Sequence, residues 1–144
     1  MKSWEELKNL AWKKTPNKEK AKSLLKLVHL RLEEVDSKDK VRFATIVVKD
    51  YYEIIDHLLE ALMELSGYKT LNHEAKLAFL AEFYSGIFSE SELLLLDRLR
   101  VMRNRIAYEG AFVKYDFLER NEGKIRKMIE KLVGTVKSKL LTKI

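Results

Sequence analysis

Apolar residues recur along most of the chain at intervals of three and four, which is the spacing of one face of an α-helix. One such stripe runs from Ala21 to Val35, a longer one from Val47 to Leu65, and another from Leu95 to Ile106. A single Pro and five Gly interrupt the pattern. The periodicity therefore predicts an all-α fold.

Residues that can begin or end a helix divide the chain into five to six helices. Ser3, Asn17, Asn72 and Ser89 can each cap a helix N-terminus, and Ser89 with Glu92 has the spacing of a capping box. The predicted helices run from Ser3 to before Pro16, from Asn17 to Asp36, from Lys38 to Ser66, from Asn72 to about Gly86, from Ser89 to Gly110, and from Asp116 to near the C-terminus. Long helices joined by short loops predict an antiparallel helical bundle, with residues 1–144 as a single domain.

Composition narrows the class of protein. Apolar residues make up 47% and charged residues 35% of the 144 residues, which is typical of neither a disordered nor a membrane-embedded chain. The longest aliphatic run, Leu93 to Leu96, is far too short to cross a bilayer. The first residues are acidic where a signal peptide is apolar, and cysteine is absent. We expect a cytoplasmic protein with no membrane partner and no cofactor.

Charge is spread unevenly along the chain. Residues 98–144 hold 13 of the 28 Lys and Arg and 5 of the 22 Asp and Glu, which gives them a net charge of +8. Residues 1–97 therefore have a net charge of −2. A basic C-terminal third favours an anionic partner, either nucleic acid or an acidic protein, although a solvated lysine-rich surface would look the same. Arginine is the better residue for phosphate because its planar fork donates two parallel hydrogen bonds. Four arginines precede the last loop, at Arg98, Arg100, Arg103 and Arg105.

The segment Arg103–Gly110 concentrates candidate chemistry at the end of the fifth predicted helix. It holds two arginines, an asparagine and a tyrosine, and Asn104 and Tyr108 share a face because they lie four apart. Such a helix end can hold a phosphate and stack a base. The alternative is that the arginines pair with carboxylates such as Asp97 or Glu109 and have no further role.

This helix resembles the signature of the HEPN superfamily (higher eukaryotes and prokaryotes nucleotide-binding domains). Arg103-Asn104 matches the opening of the family motif, and the segments 67–74 and 111–121 are similar to archaeal members. The family consists of small all-α bundles, many of them metal-independent RNases that act as toxins with a nucleotidyltransferase antitoxin. The resemblance implies a homodimer in which the motif helices of two chains face each other across a cleft.

The sequence departs from the family at the motif histidine. That residue would fall between positions 108 and 110, which are Tyr108, Glu109 and Gly110, and no histidine follows His73. A phenol is a poor base at neutral pH, but it can still donate to a phosphate or stack on a base. The tyrosine to which the antitoxin of some family members adds AMP would be Gly110 here, so that regulatory site is absent.

His73 can take the missing role if it packs near Arg103, with Lys69 as a further phosphate contact, because imidazole suits acid–base work. The alternative is that His73 only caps or packs at the start of the fourth helix. No metal site is predicted, since Asp56 and His57 are adjacent and point in different directions on a helix. The candidate catalytic residues are Arg103, Tyr108 and His73, and the candidate substrate-binding residues are Asn104, Arg105, Lys69 and Arg100.

Three functions remain open from the sequence. The first is a homodimeric RNA- or nucleotide-binding domain with a degenerate RNase motif. The second is an active metal-independent RNase toxin that uses His73 or Tyr108. The third is a non-catalytic partner of a nucleotidyltransferase, in which the arginines contact carboxylates on another protein.

Overall fold

The computed structural model describes residues 1–142 and shows an all-α helical bundle with one short two-stranded ribbon. A 3-10 turn (Lys8–Leu10) joins the first helix to the first strand. The helices are α1 (Trp4–Leu7), α2 (Lys18–Asp36), α3 (Ala44–Ser66), α4 (His73–Phe83), α5 (Glu90–Glu109) and α6 (Tyr115–Leu141), and the strands are β1 (Ala11–Lys13) and β2 (Tyr68–Thr70). Within the described part of the chain, no helix combines the length and apolar character that a membrane crossing requires.

Helix α3 forms the centre of the bundle. It packs against α2, α4, α5 and α6, and its predicted stripe, including Tyr51, Ile54, Leu58 and Leu62, is fully buried. Removing this apolar surface from water is the main stabilising contribution to the fold. Because α3 is covered by four helices, its polar side chains need partners inside the bundle.

Ion pairs show that α2 and α3 run in opposite directions. Lys20, near the start of α2, lies 3.2 Å from Glu64 near the end of α3. Lys38, just after α2, lies 2.6 Å from Asp50 near the start of α3. This pairing confirms the antiparallel packing that was predicted for these sequence neighbours.

Helix α6, by contrast, runs parallel to α3. The Thr45 hydroxyl, at the start of α3, accepts a hydrogen bond from the Val113 amide at 2.9 Å, just before α6. One turn and a half further on, the Tyr51 hydroxyl donates to Glu122 at 2.6 Å. The antiparallel packing was predicted for helices joined by short loops, whereas α3 and α6 have β2, α4 and α5 between them in sequence.

The third helix begins later than predicted. It starts at Ala44 rather than at Lys38, and residues 40–43 form a turn. The Asp39 carboxylate accepts hydrogen bonds from the backbone amides of Val41 and Arg42 at 3.1 and 3.2 Å. Such a side-chain contact offers the backbone an alternative to helical hydrogen bonds, and it explains the delayed start.

The ribbon was not predicted, because strands of three residues show no measurable periodicity. Trp12 of β1 lies opposite Lys69 of β2 in an antiparallel pair. Gly67 makes the junction between α3 and β2 possible with a φ of +80°. A Cβ at this position would lie 2.8 Å from the Lys14 carbonyl oxygen, so both the turn and the close approach require glycine.

His57 is held neutral between α2 and α3. The Arg31 guanidinium lies 3.2 Å from its Nε2 and can only donate, so Nε2 accepts and Nδ1 carries the proton. That Nδ1 is buried and has no hydrogen-bond partner among the described residues. Burial, and then the charge of Arg31, lower the pKa of His57 below its ordinary value of 6.5.

The lowered pKa predicts that acid destabilises the fold through His57. Below about pH 6.5 the unfolded chain binds a proton at this residue that the native chain does not, so the free energy of unfolding falls as the pH drops through and below about 6.5. Urea unfolding across this range should show a weaker pH dependence in His57→Gln than in the wild type. The exposed His29→Gln is the control, and equal slopes in His57→Gln and the wild type would contradict the assignment.

Candidate functional site

The arginines of α5 lie on two different sides of the helix. Leu96 and Leu99 are fully buried, and Arg103 follows them at the three-and-four spacing of one helix face. Arg98 and Arg105 lie seven apart on the exposed face. The cluster predicted from the sequence is therefore divided, because Arg103 lies on the face that packs against the bundle.

Arg103 lacks the carboxylate partner that a half-buried arginine normally has. Its Nε is buried without a hydrogen-bond partner, and no carboxylate of the described residues lies within ion-pair distance. Its Nη1 makes one long contact, 3.4 Å, with the Asn104 side-chain oxygen, and its guanidinium lies 5.9 Å from the Tyr108 ring centre. Most of its donors are thus not used within residues 1–142.

The neighbouring arginines do have carboxylate partners. Arg100 donates from Nε to Asp97 at 2.9 Å. Arg105 lies 3.5 Å from Glu109, one turn on, in a pair that is largely exposed. The alternative interpretation, simple pairing with Asp97 or Glu109, therefore describes Arg105 but not Arg103.

A polar cluster of four side chains lies between α3 and α4, and we call it the His73 cluster. The Asp56 carboxylate lies 3.1 Å from His73 Nδ1 and accepts from Lys76 Nζ at 3.0 Å. The Tyr52 hydroxyl lies 3.2 Å from the same His73 nitrogen. Tyr52 is almost fully buried, whereas about a third of the His73 side chain is exposed (33%).

Protonation within the cluster follows from its geometry. Burial alone would raise the pKa of Asp56, but the hydrogen bond from His73 and the charge of Lys76 lower it, so the carboxylate is ionised. An ionised carboxylate only accepts, and therefore His73 Nδ1 carries the hydrogen. This leaves Nε2 as the His73 nitrogen that can exchange a proton with a bound molecule.

Tyr52 connects the His73 cluster to α5. Burial raises the pKa of its hydroxyl and Asp56 raises it further, while the charges of Arg100 and Arg103 act in the opposite direction. The phenol therefore stays protonated. Tyr52 thus contacts His73, and the charges of Arg100 and Arg103 on α5 act on its hydroxyl.

The ribbon fixes the position of His73. The Thr70 hydroxyl donates to the Leu10 carbonyl at 2.8 Å and accepts from the Asn72 amide at 3.1 Å. The Asn72 side chain in turn caps α4 by accepting from the Ala75 amide at 2.8 Å. His73, the first residue of α4, is held by this chain of contacts to the N-terminal segment.

Two other predicted site residues lie apart from the cluster. Lys69, on β2, makes an ion pair with Glu60 and is not in contact with His73. Tyr108 is 78% exposed, and its ring lies 5.9 Å from the Arg103 guanidinium. Of the predicted set, the structure brings Asn104 and Tyr108 beside Arg103, whereas His73 contacts Tyr52 and Asp56.

Sequence reasoning missed three residues of the cluster. It did not single out Tyr52 or Lys76, and it considered Asp56 only as a metal ligand. Tyr52 and Asp56 share a face of α3 by their spacing of four, which was the available signal. Within residues 1–142, no group of three His, Asp or Glu side chains is arranged to hold a metal ion.

Searches with this chain against protein-family models, curated proteins and solved structures found no match.

Proposed function

We propose that this protein binds RNA or a nucleotide through a phosphate held by Arg103, beside His73. The observation that carries the proposal is the Arg103 guanidinium, whose Nε is buried without a partner. An unsatisfied buried donor costs about 1–3 kcal/mol, so this arginine does not serve stability. A phosphate bound by the terminal nitrogens of the same guanidinium would give this uncompensated charge a partner through charge-assisted hydrogen bonds.

The surroundings of Arg103 favour a nucleotide over a bare anion. Tyr108 is 78% exposed and lies within 5.9 Å of the guanidinium, so a base could stack on its ring while the phosphate binds Arg103. Asn104 offers a further donor beside it. The net charge of +8 in residues 98–144 would attract a polyanion over a longer range.

The proposal predicts that Arg103→Met separates stability from binding. Removing an unpaired, half-buried cation should leave the free energy of unfolding unchanged or raise it by about 1 kcal/mol. The affinity for a labelled single-stranded RNA should fall about 10- to 100-fold, because a charge-assisted hydrogen bond is lost. Fluorescence anisotropy and urea unfolding measure the two quantities.

Lys26→Gln is the matched control, because it removes one positive charge from an exposed position on α2. An RNA affinity that falls equally in both variants would indicate a general charge effect. Unchanged RNA affinity in Arg103→Met would contradict the proposed phosphate site.

A metal-independent RNase is the second candidate function, and the Asp56–His73 pair favours it. Asp56 holds Nδ1 of His73 at 3.1 Å, so Nε2 is oriented to accept a proton from a ribose 2′-hydroxyl. Arg103 would bind the scissile phosphate. In this candidate Asp56 positions the imidazole and does not itself touch the RNA.

The RNase candidate predicts that His73→Gln slows cleavage of RNA in EDTA by about 100-fold or more, the usual contribution of a general acid or base. The affinity for RNA should stay close to that of the wild type, since His73 is not the main phosphate contact. Tyr108→Phe tests the other candidate base, and His29→Gln is the control. Absence of cleavage by the wild type would rule out this candidate and leave the binding proposal intact.

The homodimer and the nucleotidyltransferase partner remain predictions from the family resemblance. Val101 and Tyr108 lie seven apart on the exposed side of α5, where a second copy would contact them. Arg103 and Arg105 lie on opposite faces of α5. In a dimer whose two α5 helices face each other, only one of these arginines would lie next to its copy in the other chain. Light scattering of the wild type measures the stoichiometry.

A further inference from the structure

A groove separates α5 from α6 on the side away from the His73 cluster. It consists of two cavities of about 460 and 260 Å³ that share Arg98 and together extend from Ser91 to Phe112. The α5 residues along it, Ser91 to Ile106, span about 23 Å at 1.5 Å per residue. Its apolar lining residues are Leu94, Leu95, Met102, Ile106, Ala111, Phe112, Val113 and Phe117.

The lining of the groove is strongly basic. Glu92 is the only carboxylate among the described lining residues, and it makes an ion pair with Lys131 at 2.9 Å. Arg105 has Glu109 as a loose partner, whereas the other lining cations have no ion pair within residues 1–142. The lining cations are Arg98, Arg105, Lys114, Lys124 and Lys127.

Aromatic side chains lie at one end of this basic groove. The Arg98 guanidinium packs over the Phe117 ring at 4.8 Å, which holds the cation at the centre of the groove. Phe112, in the connector before α6, is 89% exposed, the highest exposure among the large apolar residues described. An exposed aromatic ring beside a row of cations is the arrangement by which proteins bind single-stranded nucleic acid.

We propose that the groove between α5 and α6 holds the sugar-phosphate backbone of single-stranded RNA, with Phe112 stacking on a base. The choice of RNA rests on the proposed function, but the groove uses no residue of the His73 cluster and not Arg103. A single strand is favoured over a duplex because only an unpaired base offers its face to Phe112. Arg98, Lys124 and Lys127 contact successive phosphates along the groove.

The test measures the affinity of single-stranded RNA of about 15 nucleotides for the full chain over a series of salt concentrations. Lys124→Gln with Lys127→Gln removes two exposed cations from the rim. The slope of log affinity against log salt should become shallower by roughly 1.4, about 0.7 for each phosphate contact. Lys22→Gln with Lys26→Gln, the same charge change on the exposed face of α2, is the matched control.

Phe112→Ser tests the stacking contact separately. Its ring is exposed, so the substitution leaves the fold intact, and affinity for single-stranded RNA should fall roughly 5- to 100-fold. Affinity for a duplex of the same length should not change. An effect on both RNAs alike would overturn the role of Phe112 as a base platform.

The same variants distinguish this proposal from the phosphate site at Arg103. Loss of RNA binding in Arg103→Met, with the Lys124/Lys127 variant no different from the control, would overturn the groove alone. Loss in the Lys124/Lys127 variant but not in Arg103→Met would support the groove and overturn the Arg103 site. A change in oligomeric state without a change in RNA affinity would overturn the groove in favour of a protein contact, and no binding by the wild type would overturn both.

Discussion

Helix α3 is covered by other elements, and a carboxylate on such a helix costs several kcal/mol unless it is paired. Each of its acidic residues meets this constraint with a cation at ion-pair distance, and Arg31 and Lys20 each serve two of them. The fully buried Glu64 makes an ion pair with Lys14, and this contact fixes the segment before α2. Asp50 makes an ion pair with Lys38, just after α2. Asp56 contacts His73 at the start of α4. The positions of the surrounding elements therefore depend on these contacts as much as on the apolar core.

Arg103 is an exception to the requirement that a charge inside the bundle be paired. The buried or half-buried acids of α3 have a cation at hydrogen-bond distance, whereas the half-buried Arg103 has no carboxylate within residues 1–142. Two buried side-chain nitrogens of the described residues have no hydrogen-bond partner, and of the two only the Arg103 Nε belongs to a charged group, since His57 is neutral. Unsatisfied polar groups of this kind are concentrated at functional sites, where a ligand supplies what the fold omits.

Local signals in the sequence were sufficient to predict most helices. Caps such as Ser89 and the left-handed glycine at Gly110 depend on residues within one turn, and both lie where the pattern predicted. The start of α3, the ribbon and the direction of α6 depend on contacts between distant segments, which periodicity does not record. The site shows the same difference, because Arg103 was found from its motif whereas Tyr52 was not singled out. The meeting of Tyr52 with His73 depends on how α3 and α4 pack.

The ribbon has a consequence for the dynamics of the site. His73 is held in place through Asn72 and Thr70 by the carbonyl of Leu10. The segment that carries Leu10 is itself anchored, because Trp4 and Leu7 are buried and α1 packs against α4. The N-terminal segment and the start of α4 therefore hold each other in place. The His73 cluster and the N-terminal segment then belong to one cooperative unit of local unfolding.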